Sequence, residues 1–373
     1  MESSVRRSIG GHPGVDRKIR VMVVDDSIVI RRLITRVLEE DADIEVVGSA
    51  ANSLVALQRI GELLPDIITL DIEMPEMDGL ETLLHLREDY PQVRAIIFST
   101  LAERGARATI DSLLRGASDY VTKPSNTGPV DESLSRLRNV LLPKLKQFYH
   151  PRAAATFSCV AQPGSLNVGI SRPFAAPLRR MRPFRVVAIG VSTGGPAALA
   201  EVLPAFPAEF PVPIVITQHM PPLFTQFLAD RLNARCGIRV VEAGHQMPIE
   251  AGTAYIAPGG YHMRFDQHEA QVRIVLDQGP SENSCRPSVD VMLRSAAEVF
   301  QADVLVAILT GMGHDGRLGA ENVKRSGGYV IAQDSQSSVV WGMPGAVVEA
   351  GLADAVVTLK SVGPSIVRQV GEA

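Results

Sequence analysis

The chain has 373 residues, 46% hydrophobic and 21% charged, with a formal net charge of -4. That length exceeds one ordinary hydrophobic core and points to roughly two domains, and the composition excludes long disorder outside linkers. The mild negative balance gives no general attraction for a phosphate backbone, which argues against a nucleic-acid binder and for protein or small-molecule partners. Cys159, Cys236 and Cys285 form neither a metal-ligand spacing nor an even set, which argues against a zinc site or disulfide framework and for the cytosol. Residues Met1 to Lys18 carry Arg6, Arg7, Arg17 and Lys18 without an apolar segment and read as a disordered, unexported tail. No later stretch is long enough to span a bilayer.

From Arg20 onward, short Val and Ile runs alternate with amphipathic segments, the pattern of parallel strands joined by helices. Strands are expected at Arg20 to Val24, Ile44 to Gly48, Ile67 to Leu70, Ala95 to Phe98 and Tyr120 to Val121, a doubly wound domain ending near Leu142. Pro143 to Pro183 lacks apolar periodicity and reads as a linker, its basic end (Arg179, Arg180, Arg182, Arg185) a solvated hinge without chemistry. A second α/β domain, residues 184–373, is expected to follow. Its strands fall at Val186 to Gly190, Pro213 to Thr217, Ala254 to Ala257, Val272 to Leu276, Val304 to Leu309 and Tyr329 to Ala332, with a hairpin in the middle of a mainly parallel sheet. Helical patterns cover Pro196 to Leu203, Leu223 to Ala234, Ser288 to Phe300 and Leu318 to Arg325.

Asp25 and Asp26 sit where the first strand ends and Asp71 where the third ends, so a doubly wound sheet should bring the three carboxylates together at its switch point. Two unit charges about 4 Å apart repel by ~4 kcal/mol at an effective dielectric of 20. Such a cluster needs a cation, and hard oxygen ligands suit Mg²⁺. One carboxylate can then act as nucleophile toward a phosphoryl group, and Asp71 is best placed for it. Lys123 ends the fifth strand and can pair with the phosphate, while Ser99 or Thr100 ends the fourth and can offer a hydroxyl. Residues 19–142 thus resemble the receiver domain of two-component response regulators, on Asp25, Asp26, Asp71, Ser99, Tyr120 and Lys123-Pro124. The resemblance implies Mg²⁺, a histidine kinase as phosphodonor, and Ser99, Tyr120 and Lys123 as the phosphate switch.

Gly190-Val191-Ser192-Thr193-Gly194-Gly195 joins a strand to a helix and fits a G-x-S-x-G turn, though glycine-rich turns also cradle nucleotide phosphates. A histidine, His219, closes the next strand, and Thr310 to Gly316 closes another with Asp315 inside it. A serine needs a base and an imidazole needs a carboxylate to fix its tautomer. Ser192, His219 and Asp315 supply that set, with His262 and His314 as rival bases.

Together with Gln218 to Pro221, Ala257-Pro258-Gly259 and Arg286-Pro287-Ser288-Val289-Asp290, these segments resemble the chemotaxis response-regulator protein-glutamate methylesterases. The resemblance implies hydrolysis of glutamate methyl esters on the cytoplasmic helices of chemoreceptors, releasing methanol, with deamidation of receptor glutamines and no cofactor for the hydrolysis. It makes Ser192 the nucleophile, His219 the base and Asp315 its partner, places Thr193 and the Met312 N–H near the oxyanion, and has the resting receiver cover Ser192. Three rivals are weaker, one of them an inactive scaffold of the same fold, which intact Ser192, His219 and Asp315 argue against. A DNA-binding output lacks a short basic helix-turn-helix, and a nucleotide-binding output lacks a lysine after Ser192.

Overall fold

The computed structural model describes residues 17–74, 79–100, 102–123, 130–149, 183–269 and 271–371. The N-terminal domain is a five-stranded sheet of β1 (Ile19–Val24), β2 (Ile44–Ala50), β3 (Ile67–Asp71), β4 (Arg94–Ser99) and β5 (Asp119–Thr122), in the order β2-β1-β3-β4-β5. Every neighbouring pair is parallel. The helices between and after them are α1 (Ile28–Glu39), α2 (Ser53–Leu63), α3 (Gly79–Asp89), α4 (Glu103–Leu114) and α5 (Val130–Lys146). All of β3 is buried, as expected of a strand covered by helices on both faces. Ser27 and Asn52 start α1 and α2 by accepting the N–H groups of Ile30 and Val55, donors that a helix start leaves without partners.

The C-terminal domain holds α6 (Gly195–Val202), α7 (Phe224–Asn233), α8 (Val289–Phe300), α9 (Arg317–Arg325), α10 (Met343–Glu349) and α11 (Leu359–Gly371). Its strands are β6 (Val186–Val191), β7 (Ile214–Gln218), β8 (Arg239–Glu242), β9 (Thr253–Ile256), β12 (Val304–Ile308), β13 (Tyr329–Gln333) and β14 (Ala355–Val357). They form one parallel sheet in the order β14-β13-β12-β6-β7-β9-β8. An antiparallel ribbon of β10 (His262–His268) and β11 (Gln271–Asp277) stands apart from the sheet. Phe265 of the ribbon meets Phe300 of α8 edge to face.

The expected doubly wound receiver-like sheet, and the parallel second sheet with its hairpin, are therefore both present. Four C-terminal elements escaped the sequence reading for physical reasons. β8 and β14 are short edge strands with partly exposed residues. The other two are helices that contain the usual helix breakers, Pro344 and Gly345 in α10 and Gly363 and Pro364 in α11.

The end of the first domain also moves. α5 runs through Pro143 to Lys146, past the expected limit at Leu142, because Leu134, Leu137, Leu141 and Leu145 continue one buried stripe. Each such side chain contributes about 1.5–3 kcal/mol when fully buried, enough to offset the interior proline. At the other end Arg17, read as tail, pairs with Asp66 at 3.0 Å. The tail over residues 1–16 and the linker over 150–182 lie outside the described residues.

α4 packs against α6 and α7 of the second domain. One apolar cluster contains Ile110 and Leu113 of α4 together with Leu199 of α6 and Phe224 and Phe227 of α7.

Candidate functional site

In each sheet the chain reverses direction beside its first strand. β1 lies between β2 and β3, and β6 lies between β7 and β12. The carboxyl ends of the strands flanking such a point open a crevice, and both candidate sites lie in one.

In the first crevice Asp25 follows β1 and Asp71 ends β3, both buried, with Asp26 exposed beside them. Each offers an oxygen, and all three oxygens lie within 4.8 Å of one another. Lys123, just past β5, places its Nζ 2.6 Å from Asp71 Oδ2 and 2.9 Å from Asp25 Oδ2. Burial pushes the Asp25 carboxyl up from the usual range and Asp71 adds to this, with Lys123 opposing. Burial pulls Lys123 down, but the bonds and charges of Asp71 and Asp25 outweigh it and its pKa rises. Three clustered carboxylate oxygens with one ammonium are a donor set that fits Mg²⁺. The Ser99 hydroxyl ends β4 and donates to the Gly105 carbonyl at 2.9 Å, while Thr100 reaches toward Glu73 at 3.5 Å.

In the second crevice Ser192 follows β6, His219 follows β7 and Asp315 lies in the loop after β12. The serine turn is tied to that loop by Ser192 N–H to the Thr310 carbonyl at 3.0 Å and by the Thr310 hydroxyl to the Thr193 carbonyl at 3.0 Å. Two glycines make the turn possible. Gly194 adopts φ +77° at the start of α6, and a Cβ on Gly311 would fall 2.8 Å from Ser192 Cβ. The amide of Gln218 donates to the Ser192 carbonyl at 3.0 Å and so fixes the Ser192 backbone against β7.

His219 Nε2 lies 2.8 Å from Asp315 Oδ2. Pairing with a carboxylate assigns the proton to Nε2 and leaves Nδ1 as the basic nitrogen, with Cys285 Sγ 3.5 Å away. Burial opposes the charged ring, but the bond to Asp315, with Cys285 beside it, raises its pKa to about 9. Burial acts to raise Asp315, yet His219 and the N–H groups of Asp290 and Val289 hold it far below the usual carboxylate range. Ser192 and His219 line one cavity, although among the described residues no hydrogen bond joins the Ser192 hydroxyl to the ring. The rival base His262 is buried and occupied, between the Ser288 N–H and the Pro280 carbonyl. His314 takes no described side-chain bond at the site.

Met312 is 43% exposed, and no described hydrogen bond uses its N–H. Thr193 is turned elsewhere. Its hydroxyl donates to Asp119 Oδ2 of the first domain at 3.0 Å, and Asp119 Oδ1 accepts Lys144 Nζ at 2.7 Å. Tyr120 stacks on Phe224 with ring centroids 5.0 Å apart, and Arg107 lies 4.2 Å over the Phe227 ring. Arg231 reaches across to Asp111 at 2.8 Å. Asp119, Tyr120 and Lys144 thus wall the cavity holding Ser192 and His219, which encloses only ≈ 30 Å³. Ligand sites occupy several hundred Å³, whereas this space holds no more than a water or two. Lys144 falls at the start of the stretch expected to be linker and lies in the last turn of α5.

Sequence reasoning passed over Asp119, Lys144, Asn283 and Cys285. The first two reach the site only through the packing of one domain on the other. Asn283 and Cys285 sit in a turn just ahead of Arg286 to Asp290, a segment whose distinctiveness was the available signal.

The family described as CheB methylesterase matches residues 187–366, and the response regulator receiver domain matches residues 21–134. A protein-glutamate methylesterase/protein-glutamine glutaminase of Trichodesmium erythraeum is 47% identical over 95% of this chain and 99% of its own length. One of the same name from a Nocardioides species is 48% identical over 94% of this chain and 95% of its own. The crystal structure of the Thermotoga maritima CheB methylesterase catalytic domain is 42% identical, covering 50% of this chain and 98% of that one, with a TM-score of 0.49.

Proposed function

This chain belongs to the protein-glutamate methylesterase/protein-glutamine glutaminase family, with a receiver joined to a CheB methylesterase domain, and we propose that Ser192, His219 and Asp315 carry its chemistry under the control of Asp71. The enzyme serves chemotaxis through phosphorylation-regulated demethylation and deamidation. Its substrates in this reading are the glutamate methyl esters and glutamines of a chemoreceptor's cytoplasmic helices, its phosphodonor is a histidine kinase, and it works in the cytoplasm. No helix among the described residues is long and apolar enough to cross a membrane.

The observation that carries this reading is the Asp315–His219 pair facing the cavity that Ser192 lines. His219 Nδ1 takes the Ser192 proton as Oγ adds to the ester or amide carbon. Asp315 steadies the imidazolium that forms, through the Nε2–H bond. The free Met312 N–H and the start of α6 supply donors toward the oxyanion, a contribution of ~2.7–4 kcal/mol for one such donor. The imidazolium then protonates the leaving group, methanol or ammonia, and water cleaves the acyl-serine by the same relay in reverse. No metal enters these steps.

In the receiver, Asp71 Oδ attacks the incoming phosphoryl group and Lys123 pairs with it. Mg²⁺, held by Asp25, Asp26 and Asp71, supplies neutralising charge when bound. The phosphoryl group adds about 1.5 to 2 negative charges. It draws Lys123 and the Ser99 hydroxyl, with Tyr120 turning inward away from Phe224, and the wall over Ser192 loosens. Each charge-assisted bond is worth ~1.5–3 kcal/mol and a swing from 1:99 to 99:1 needs ~5.5 kcal/mol, so a few contacts suffice. Ser192→Ala tests the catalytic assignment: methanol release from methylated receptor membranes should fall by ~10⁶ while Asp71 still takes phosphate. A variant that keeps most of its activity removes Ser192 from the mechanism.

A further inference from the structure

Asp315 is gripped by more donors than orienting His219 requires. Its Oδ2 accepts from His219 Nε2 at 2.8 Å and the Val289 N–H at 2.7 Å. Its Oδ1 accepts from the Ser288 hydroxyl at 2.9 Å, the Asp290 and Gly316 N–H groups at 3.0 Å each, and Asn283 Nδ2 at 2.9 Å. Val289 and Asp290 open α8, so a helix N-terminus adds its favourable dipole.

The unusual member of this group is Asp290, fully buried, its carboxyl pushed up from the usual range by burial and by the charge of Asp315, with the Gly319 N–H and Asn283 opposing. Gly319 N–H donates to its Oδ1 at 2.6 Å, and the same Asn283 Nδ2 donates to its Oδ2 at 2.9 Å. An amide nitrogen carries two hydrogens, and here one serves each carboxylate. Asn283 reaches this place from a tight turn. Glu282 and Cys285 exchange backbone hydrogen bonds at 3.1 and 2.9 Å across it, with Asn283 and Ser284 at φ 53° and 62°. Glu282 is clamped to α8 by Arg294 through two bonds of 2.6 Å. Cys285, at the other corner, touches the basic nitrogen of His219 at 3.5 Å.

We propose that Asn283 is a positioning residue for the reaction: its bridging amide keeps Asp290 from sharing a proton with Asp315, and so holds Asp315 as a full negative charge against His219. This rests on the catalytic reading above. Two buried carboxylates with no donor between them hold one proton in common. A protonated Asp290 would donate to Asp315 and draw charge away from the imidazolium that forms in the transition state. The titratable and charged groups facing the Asp290–Asp315 pair are His219 after β7, Glu282 and Cys285 on the turn, and Arg294 on α8.

Asn283→Gly keeps the left-handed turn and removes the amide, whereas Asn283→Asp keeps the turn and replaces the donor by a third carboxylate. The assay is methanol release by the full-length protein with Mg²⁺ and acetyl phosphate. Both variants should lose kcat by roughly 10- to 100-fold with KM within about twofold, Asn283→Asp the more severely. In Asn283→Gly the acid limb of kcat/KM should also move to lower pH, because less negative charge sits beside the ring. A wild-type kcat and unmoved acid limb in Asn283→Gly, or a wild-type kcat in a folded Asn283→Asp should the glycine variant fail to fold, overturns the proposal. Asp315→Asn run alongside separates the two failures. If it is inactive while Asn283→Gly is normal, only the positioning role falls; if it is fully active, the catalytic reading falls too.

Discussion

Asp119 of the receiver accepts a hydrogen bond at 3.0 Å from Thr193, the residue that follows Ser192. Asp119 begins β5, and Lys123 just past its end pairs with Asp71. The two residues stand about 13 Å apart along the chain at ~3.3 Å per residue. One short strand and the residue after it therefore hold both the cation paired with Asp71 and a carboxylate that walls the cavity lined by Ser192.

Loosening that closure should release activity without phosphate. In Asp119→Ala, Thr193 and Lys144 lose their common acceptor, and unphosphorylated methanol release should rise roughly tenfold, the effect of one charge-assisted bond. Deleting Met1 to Pro183 should raise it at least as far. A folded fragment with an unchanged or lower rate would count against occlusion.

The pH profile follows from His219. In the proposed role of base His219 must be neutral, and its pKa is raised to about 9, so protonation should suppress the rate at lower pH. kcat/KM should climb with pH to an inflection near 9, above the ~6.5 of an unperturbed imidazole. Asp315→Asn removes the charge that raises the pKa. Its inflection should fall toward the ordinary histidine range, and its plateau by ~10⁴. An alkaline limit already reached at pH 7 in the wild type would be incompatible with the Asp315–His219 pair described.

Chelation divides the two sites. Stripping divalent cations should abolish stimulation by acetyl phosphate, because Asp25, Asp26 and Asp71 then repel the phosphoryl group. Basal ester hydrolysis should be unaffected. Loss of the basal rate on chelation, restored by Mg²⁺, would place a metal in the hydrolytic step.

Much of this was legible in the sequence because parallel sheets put chemistry at strand ends. Asp25, Asp71, Ser192 and His219 each end or follow a short, largely buried strand rich in Val and Ile, and the fold has only to line those strands up for the side chains to converge. Asp315 lay further into its loop, and its pairing with His219 needed the serine's demand for a base as a guide. Asp119 and Lys144 were not legible. An acid at a strand start and a lysine after a helical proline both read as solvated, and only the docking of α4 and β5 on the second domain gives them partners. Asn283 was hidden in a turn whose left-handed backbone any Asn would suit, so nothing in its own identity announced two buried carboxylates beyond it.

The central claim is that phosphate on Asp71 governs ester hydrolysis at Ser192. It is tested most directly by methanol release from methylated receptor membranes, with and without acetyl phosphate, in the wild type and in Asp71→Asn. The wild-type rate should rise with the phosphodonor while the Asp71→Asn rate stays at its basal level. An equal rise in both proteins, or none in a wild type shown to be phosphorylated, would contradict the account.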